Sequence, residues 1–333
     1  MNDRITYQQI TERLKENNLR YELLALQNGA FVVISQYGGR IFGPFLSKES
    51  ESIFWANDAF ARADTFQEFL RSGNWNIGGD RMWIAPEIQY HVPDRDDFWG
   101  SVFWPPQVDP GTYSLEKTEP GQWRLAQDIT LQAYNLASGQ KELHLERLIR
   151  QVDDPLRDLS DYQDLVDGVL FAGYEQAVTL SESNRDDIVS EAWSLTQLNS
   201  GGMLIIPSSP RVEYTDYYDP VDEDHQSILP GHVRLRISGQ RQYKVGYKAA
   251  HVYGRLGYDN QLDDDRTYLL VRNFFNNPSA PYAEEPDHSP GCRGHSIHVY
   301  NDSGDFGGFG ELECNAPTIG GDTGRSSSTD ELI

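Results

Sequence analysis

Two carboxylates near the end of the sequence have the spacing of a general acid/base pair. Glu311 and Glu313 flank Leu312 in residues 306–317, a segment that reads as a strand, so both side chains point to one face. Neighbouring carboxylates repel, and enclosure of that face raises at least one of their pKa values, which suits general acid or base catalysis. The alternative is an exposed strand edge with two solvated carboxylates.

A second group of candidate residues surrounds a pair of glycines. Residues 78–87 read GGDRMWIAPE and follow NWN at 74–76. Glycines allow a sharp bend or a close approach to a ligand. A tryptophan beside an acid and a base offers a flat apolar face to a sugar ring and hydrogen bonds to its hydroxyls. The candidate ligand-binding residues are Asn76, Asp80, Arg81, Trp83 and Glu87. In the alternative interpretation, Trp83 belongs to the core and Asp80 pairs with Arg81 at the surface.

Two further predicted strands carry candidate residues. Alternation places Trp193 and Gln197 on one face, as a second sugar platform or as core packing. Lys244 is one of the few lysines. It either balances the glutamates or lies on a solvated face.

Histidine and cysteine side chains are concentrated near residue 290. His288, Cys292, His295 and His298 have the donor types of a zinc site, but their spacing matches no structural zinc pattern. We predict no metal, and His298 as a pocket residue. The sequence also contains no phosphate-binding loop, nucleophile elbow or His-Glu-x-x-His motif, so we expect no cofactor.

The composition restricts the possible partners. The chain of 333 residues has a net charge of −23, so nucleic acids and anionic membranes are poor partners. We expect a small-molecule carbohydrate as the ligand of a monomer or homodimer. There is no apolar run of about 18 residues, and residues 1–21 lack the apolar core of a signal peptide. With two cysteines, the prediction is a reduced, cytoplasmic protein, unless a signal peptide has been removed.

The pattern of elements predicts an all-β fold. Residues 5–18 read as a helix, and residues 21–35 read as a hairpin across Asn28 and Gly29. Many further strands separated by Gly, Pro, Asn and Asp predict one large two-sheet sandwich. The predicted organisation is an N-terminal helix at 1–20, a single β-sandwich domain at 21–320 and a flexible tail at 321–333.

Three segments together resemble the aldose 1-epimerase (galactose mutarotase-like) superfamily. They are GGDRMWIAPE at 78–87, WSLTQ at 193–197 and ELE at 311–313, and they are most similar to an uncharacterised bacterial branch of that superfamily. The resemblance implies a β-supersandwich that binds a sugar on its concave face. It implies Glu313 as general base and Arg81 as a ligand of sugar hydroxyls.

The same resemblance leaves the general acid unassigned. The epimerases use a histidine in a segment similar to residues 191–198, which contain none here. His91, His251 and His298 are the candidate acids. Three functions remain open: an epimerase-like isomerase, a non-catalytic sugar-binding module, and a glycoside hydrolase or lyase with paired carboxylates.

Overall fold

The computed structural model describes residues 4–333. Helices are few and short within these residues. The α-helices are α1 (Tyr7–Glu16), α2 (Ala63–Ser72), α3 (Glu87–Tyr90), α4 (Phe98–Ser101) and α5 (Tyr162–Leu165). Single 3-10 turns lie at Gln27–Gly29, Tyr37–Gly39, Asp58–Ala61, Arg95–Asp97, Ala249–His251 and Gly321–Thr323.

Strands make up most of the regular structure. The first ten are β1 (Tyr21–Ala25), β2 (Phe31–Ser35), β3 (Arg40–Phe45), β4 (Asp80–Ala85), β5 (Ser114–Glu119), β6 (Gln122–Ala133), β7 (Gly139–Gln151), β8 (Tyr174–Glu182), β9 (Val189–Asn199) and β10 (Met203–Pro207). The others are β11 (Tyr214–Asp216), β12 (Gln226–Leu229), β13 (His232–Arg236), β14 (Tyr243–Lys248), β15 (Arg255–Gln261), β16 (Thr267–Asn273), β17 (His295–Asn301), β18 (Phe309–Asn315), β19 (Ile319–Gly320) and β20 (Ser327–Leu332).

The strands form three antiparallel sheets. The largest has the order β1-β2-β3-β4-β9-β18-β17-β14-β11, with β19 paired to β9. Two five-stranded sheets have the orders β12-β13-β10-β15-β16 and β20-β8-β7-β6-β5. One apolar core contains side chains from all three sheets. The predicted all-β fold with a short N-terminal helix is confirmed.

Local signals explain the first elements. Thr6 caps α1, and Gln9 closes the reciprocal capping bond, while Ile10 and Leu14 are fully buried. The predicted hairpin is present, because β1 pairs with β2 across Asn28 and Gly29. Between residues 4 and 333, no helix combines the length and the apolar character needed to cross a bilayer.

The two glycines before β4 serve chain packing. Gly78 and Gly79 have φ values of 104° and 85°. A Cβ on Gly78 would lie 2.6 Å from the carbonyl oxygen of Trp55, and one on Gly79 would lie 2.7 Å from that of Ile41. The glycines therefore let residues 78–79 pass close to two neighbouring segments.

The end of the chain differs from the predicted flexible tail. Residues Ser327–Leu332 form β20, which pairs with β8 from Ser327↔Ser181 to Leu332↔Gln176. Leu332 and Asp330 are buried there. The Ser-rich composition does not predict this strand, because its stability comes from pairing with β8.

Candidate functional site

Strand register brings the predicted residues together on one face of the large sheet, here called the site face. Arg81 of β4 lies opposite Leu195 of β9, which lies opposite Glu313 of β18, followed by His298 of β17. In the cross-strand row on one side of these residues, Trp83 lies opposite Trp193, which lies opposite Asn315. In the row on the other side, Gln197 of β9 is followed by Glu311 of β18, Tyr300 of β17 and Lys244 of β14. Segments more than 200 residues apart in sequence therefore form one cluster.

Arg81 is enclosed by aromatic rings and a carboxylate. Its Nη2 donates to Oε1 of Glu311 at 2.8 Å. Its guanidinium carbon lies 4.2 Å from the ring centre of Trp83 and 5.0 Å from that of Trp75. Within residues 4–333, Nε and Nη1 of Arg81 are buried without a hydrogen-bond partner. A buried donor left unpaired costs about 1–3 kcal/mol, and Oδ2 of the Asp109 carboxylate lies 3.9 Å from Nε.

A buried aspartate fixes the tryptophan beside Arg81. Oδ2 of Asp109 accepts from Nε1 of Trp83 at 2.9 Å and from Nη2 of Arg40 at 2.5 Å. Arg40 also donates to the carbonyl oxygens of Trp75 and Gly78. The indole of Trp83 is thereby held in one orientation.

Lys244 connects the second tryptophan to the acids. Its Nζ donates to Oε2 of Glu87 at 2.7 Å and lies 4.5 Å from the ring centre of Trp193. Nε1 of Trp193 donates to Oε2 of Glu313 at 2.9 Å. Glu284 adds another carboxyl, whose Oε2 accepts from the backbone N of Glu87 at 2.6 Å.

Carboxyl groups outnumber basic groups in this cluster. Burial raises the pKa of Glu313 to about 8, with Lys244 opposing the shift and Glu311 and Glu87 adding to it. Burial also raises the pKa of Glu311, against the attraction of Arg81. It raises that of Glu284 far more, against Lys244. The raised pKa favours the protonated form of Glu313 at neutral pH.

His298 is fully occupied by hydrogen bonds. Nδ2 of Asn315 donates to Glu191, so Oδ1 of Asn315 faces His298 and accepts from its Nδ1–H. Nε2 of His298 then accepts from the hydroxyl of Tyr217 at 3.0 Å. Burial, followed by the charges of Lys244 and His295, lowers the pKa of His298 well below its ordinary value. His298 is a neutral side chain with no free nitrogen.

His91 is also neutral. Its ring lies 5.2 Å from that of Trp83 and 6.3 Å from that of Trp193. Burial lowers its pKa to about 4, against the attraction of Glu87. Neither histidine on the site face is a charged proton donor at pH 7. His251 lies beyond the end of β14, where its Nδ1 accepts from the backbone N of Glu213.

Aromatic side chains cover the end of the site face near Arg81. Trp75 and Trp104 stack with ring centres 4.7 Å apart, and Phe306 lies 6.2 Å and 6.0 Å from them. Nδ2 of Asn76 donates to the carbonyl oxygen of Phe306, and its Oδ1 accepts from Nε2 of Gln197. Asn76 and Gln197 therefore connect this cover to the sheet.

Asp80 does not join the cluster. Alternation along β4 sends it to the opposite face, where its Oδ2 accepts from Tyr174, Gln176 and Arg272 at 2.7–2.8 Å. These partners belong to the two five-stranded sheets. The surface pair with Arg81 is also absent among residues 4–333, because adjacent residues of a strand point to opposite faces. Asp80 is a buried contact between the sheets.

The histidine and cysteine segment forms a hydrogen-bonded chain. His295 contacts the Tyr217 hydroxyl through Nδ1 and the Thr215 hydroxyl through Nε2, and Thr215 contacts Sγ of Cys292. Across the described residues, no three His, Cys, Asp or Glu side chains are grouped so that they could hold a metal ion.

Several residues of the cluster were not predicted from the sequence. Asp109, Glu284 and Tyr217 lie outside the three recognised segments and reach the site through loops or a strand end. Of these three, only Tyr217 lies in a segment whose composition is distinctive, the acidic and aromatic YYDP at 217–220.

Comparison with known proteins assigns the family. The model of a Family of unknown function (DUF6786) matches residues 5–329. The chain belongs to this family. No curated protein sequence matches it.

Comparison with solved structures gives matches at low sequence identity. The Slr1438 protein from Synechocystis sp. PCC 6803 is similar with a TM-score of 0.51 and 12% identity, over 94% of both chains. A galactose mutarotase related enzyme from Lactobacillus acidophilus gives a TM-score of 0.45 and 9% identity, over 94% of this chain and 97% of that one. A 4-alpha-glucanotransferase from Thermococcus litoralis gives 0.36 and 10%, over 98% of this chain and 41% of that one.

Proposed function

We propose that the protein binds a saccharide on the site face and interconverts its anomers by proton transfer. The observation that carries the proposal is Arg81, which is buried against two tryptophans, has no hydrogen-bond partner among the described residues at Nε or Nη1, and lies in the same cross-strand row as Glu313. Tryptophan faces suit the C–H groups of a sugar ring, and the guanidinium suits its hydroxyls.

The proposed chemistry gives the two glutamates of β18 opposite roles in proton transfer. Glu313, with its pKa near 8, donates a proton to the ring oxygen. Glu311, bonded to Arg81, accepts the proton of the anomeric hydroxyl. The bond from the anomeric carbon to the ring oxygen breaks and a carbonyl forms. Rotation, reclosure and return of both protons give the other anomer. The resemblance to the aldose 1-epimerases implies Glu313 as the general base. In this proposal, Glu313 acts instead as the general acid in the ring-opening step.

Two measurements test this proposal. Saturation-transfer NMR with a panel of aldoses is expected to show anomer interconversion that exceeds the spontaneous rate, and ligand-induced melting shifts are expected for the same sugars. Arg81→Ala is expected to remove the shift. Because Arg81→Ala leaves Glu311 unpaired and costs stability, Glu311→Gln serves as a second site variant. Arg150→Ala serves as the control, because the side chain of Arg150 on β7 is exposed.

The outcomes separate catalysis from binding. Melting shifts that depend on Arg81, without faster interconversion, would reduce the proposal to a sugar-binding module. Shifts retained in Arg81→Ala and Glu311→Gln would place the ligand elsewhere.

Glycoside cleavage is a second candidate, because the two glutamates of β18 have different hydrogen-bond donors. Glu311 accepts from the charged Arg81, and Glu313 accepts from the neutral indole of Trp193. Release of reducing ends or unsaturated products from a glycan panel would favour this hydrolase or lyase function over anomer exchange.

A further inference from the structure

A cavity of about 630 Å³ lies beside the site face, between α4 and the segment that follows β11. Its apolar wall consists of Phe98, Trp99 and Tyr218, and its polar wall includes Asp216, Asp219 and Gln242. The residues of this cavity, here called the rim cavity, have no part in the proton transfer described above.

The rim cavity borders the site face at residues 217–218, whose side chains line the cavity and contact residues of the site face. The ring of Tyr218 lies 6.3 Å from that of Tyr300, which is opposite Glu311 in the sheet. The ring centre of Tyr217 lies 5.4 Å from Nζ of Lys244. A ligand that occupies the site face therefore has the rim cavity as its neighbour.

The apolar wall is an angled aromatic surface. Trp99 lies 5.0 Å from Phe98 at an interplanar angle of 80°, and 4.9 Å from Tyr218 at 53°. Trp99 is 58% exposed, so much of its indole ring is open to solvent. Its free face suits the C–H groups of a sugar ring, as do the tryptophans of the site face.

The charge of the rim cavity restricts what it accepts. Its lining contains Asp216, Asp219 and Asp287, and no lysine or arginine of the described chain is part of it. Carboxylates accept hydrogen bonds from hydroxyl or amino groups and repel anions. A sugar unit bearing sulfate, phosphate or carboxylate is therefore disfavoured.

We propose that the rim cavity is a subsite for a second sugar unit, so that the substrates are disaccharides or longer saccharides. The reducing unit lies at Glu311 and Glu313, and the next unit, uncharged or amine-bearing, stacks on Trp99. This inference rests on the proposed saccharide function and adds the size and charge of the substrate.

Titration calorimetry with matched sugars tests the subsite. Glucose is compared with maltose and cellobiose, and N-acetylglucosamine with chitobiose, while cellobiouronic acid provides an anionic second unit. At least one uncharged disaccharide is expected to bind about 10-fold more tightly than its monosaccharide, as an aromatic contact worth about 1.4 kcal/mol would give. Cellobiouronic acid is expected to lack this advantage.

Variants assign the gain to the rim cavity. Trp99→Ala is expected to remove the advantage of the disaccharide and to leave monosaccharide affinity unchanged. The control is Tyr253→Ala, since Tyr253 is 65% exposed and lies outside the cavity lining; it is expected to change neither affinity.

Each failure has a distinct meaning. A disaccharide advantage that survives in Trp99→Ala, or that is absent while Arg81-dependent monosaccharide binding is present, overturns the subsite and leaves the proposed function standing. Absence of binding for every sugar overturns both.

Discussion

At the scale of single residues, the protonation state of Glu313 decides which role it can take in the proposed proton transfer. A carboxyl with a pKa near 8 is neutral over most of the physiological range and becomes an anion only at higher pH. The neutral form donates a proton, whereas the anion accepts one. The direction of a pH profile therefore distinguishes the two roles.

We predict that the rate of anomer interconversion falls about tenfold per pH unit above pH 8, because the protonated fraction of Glu313 falls in that way. Glu313→Gln is expected to lower the rate by about 100-fold or more, in line with the usual contribution of a general acid, while sugar affinity persists. Polarimetry across pH 5–10 provides the measurement. A rate that rises through pH 8 would assign Glu313 as the base.

Some residues of the site face could be identified from the sequence, and others could not. Arg81, Trp83 and Glu313 share the site face, and their roles in binding and catalysis stay predictions. Asp80 was grouped with Arg81 from adjacency alone, although strand alternation sends the two to opposite faces. Asp109 and Glu284 could not be predicted, because loops bring them to the cluster from distant parts of the sequence.

At the scale of elements, the hairpin of β1 and β2 and the strand that carries Glu313 were predictable from turn residues and alternation. Helix α2 and strand β20 were not predictable in this way. α2 is amphipathic and ends at Gly73 in the left-handed conformation, but it interrupts a β-rich pattern. β20 depends on pairing with β8, which local sequence does not encode.

The turn into β4 provides a test at this scale. Gly79→Ala is expected to destabilise the protein more than Gly73→Ala does. Both glycines have positive φ, at 85° and 68°, so both substitutions cost about 1–2 kcal/mol of backbone strain. Only the Cβ at Gly79 would also meet a carbonyl oxygen at 2.7 Å, whereas nothing lies within 4 Å at Gly73.

Urea denaturation of the two glycine variants measures this difference. An additional loss of about 1–3 kcal/mol is expected for Gly79→Ala, as is usual for overpacking. Equal losses would mean that the strand adjusts to the added methyl group, and that close packing does not require glycine at this position.

At the scale of the whole molecule, the acidic cluster links stability to pH. Burial raises the pKa of Glu313 to about 8 and that of Asp330 to about 7. A carboxyl whose pKa is higher in the folded than in the unfolded chain favours folding below its unfolded pKa, and this contribution is lost as pH rises through the folded pKa. These two groups therefore contribute a fall in the free energy of unfolding from about pH 5 to pH 8, which His91 and His298 oppose below about pH 6.5, where they gain a proton only in the unfolded chain.

Glu313→Gln is expected to make this fall shallower, since the amide cannot ionise and still accepts from Nε1 of Trp193. One such group contributes a slope of up to about 1.4 kcal/mol per pH unit between the two pKa values. Denaturation at pH 6 and pH 9 compares Glu313→Gln with Glu116→Gln, whose exposed side chain lies on β5. If the site variant and this control lose the same stability between the two pH values, Glu313 is already ionised in the folded protein, and its role as a proton donor fails with it.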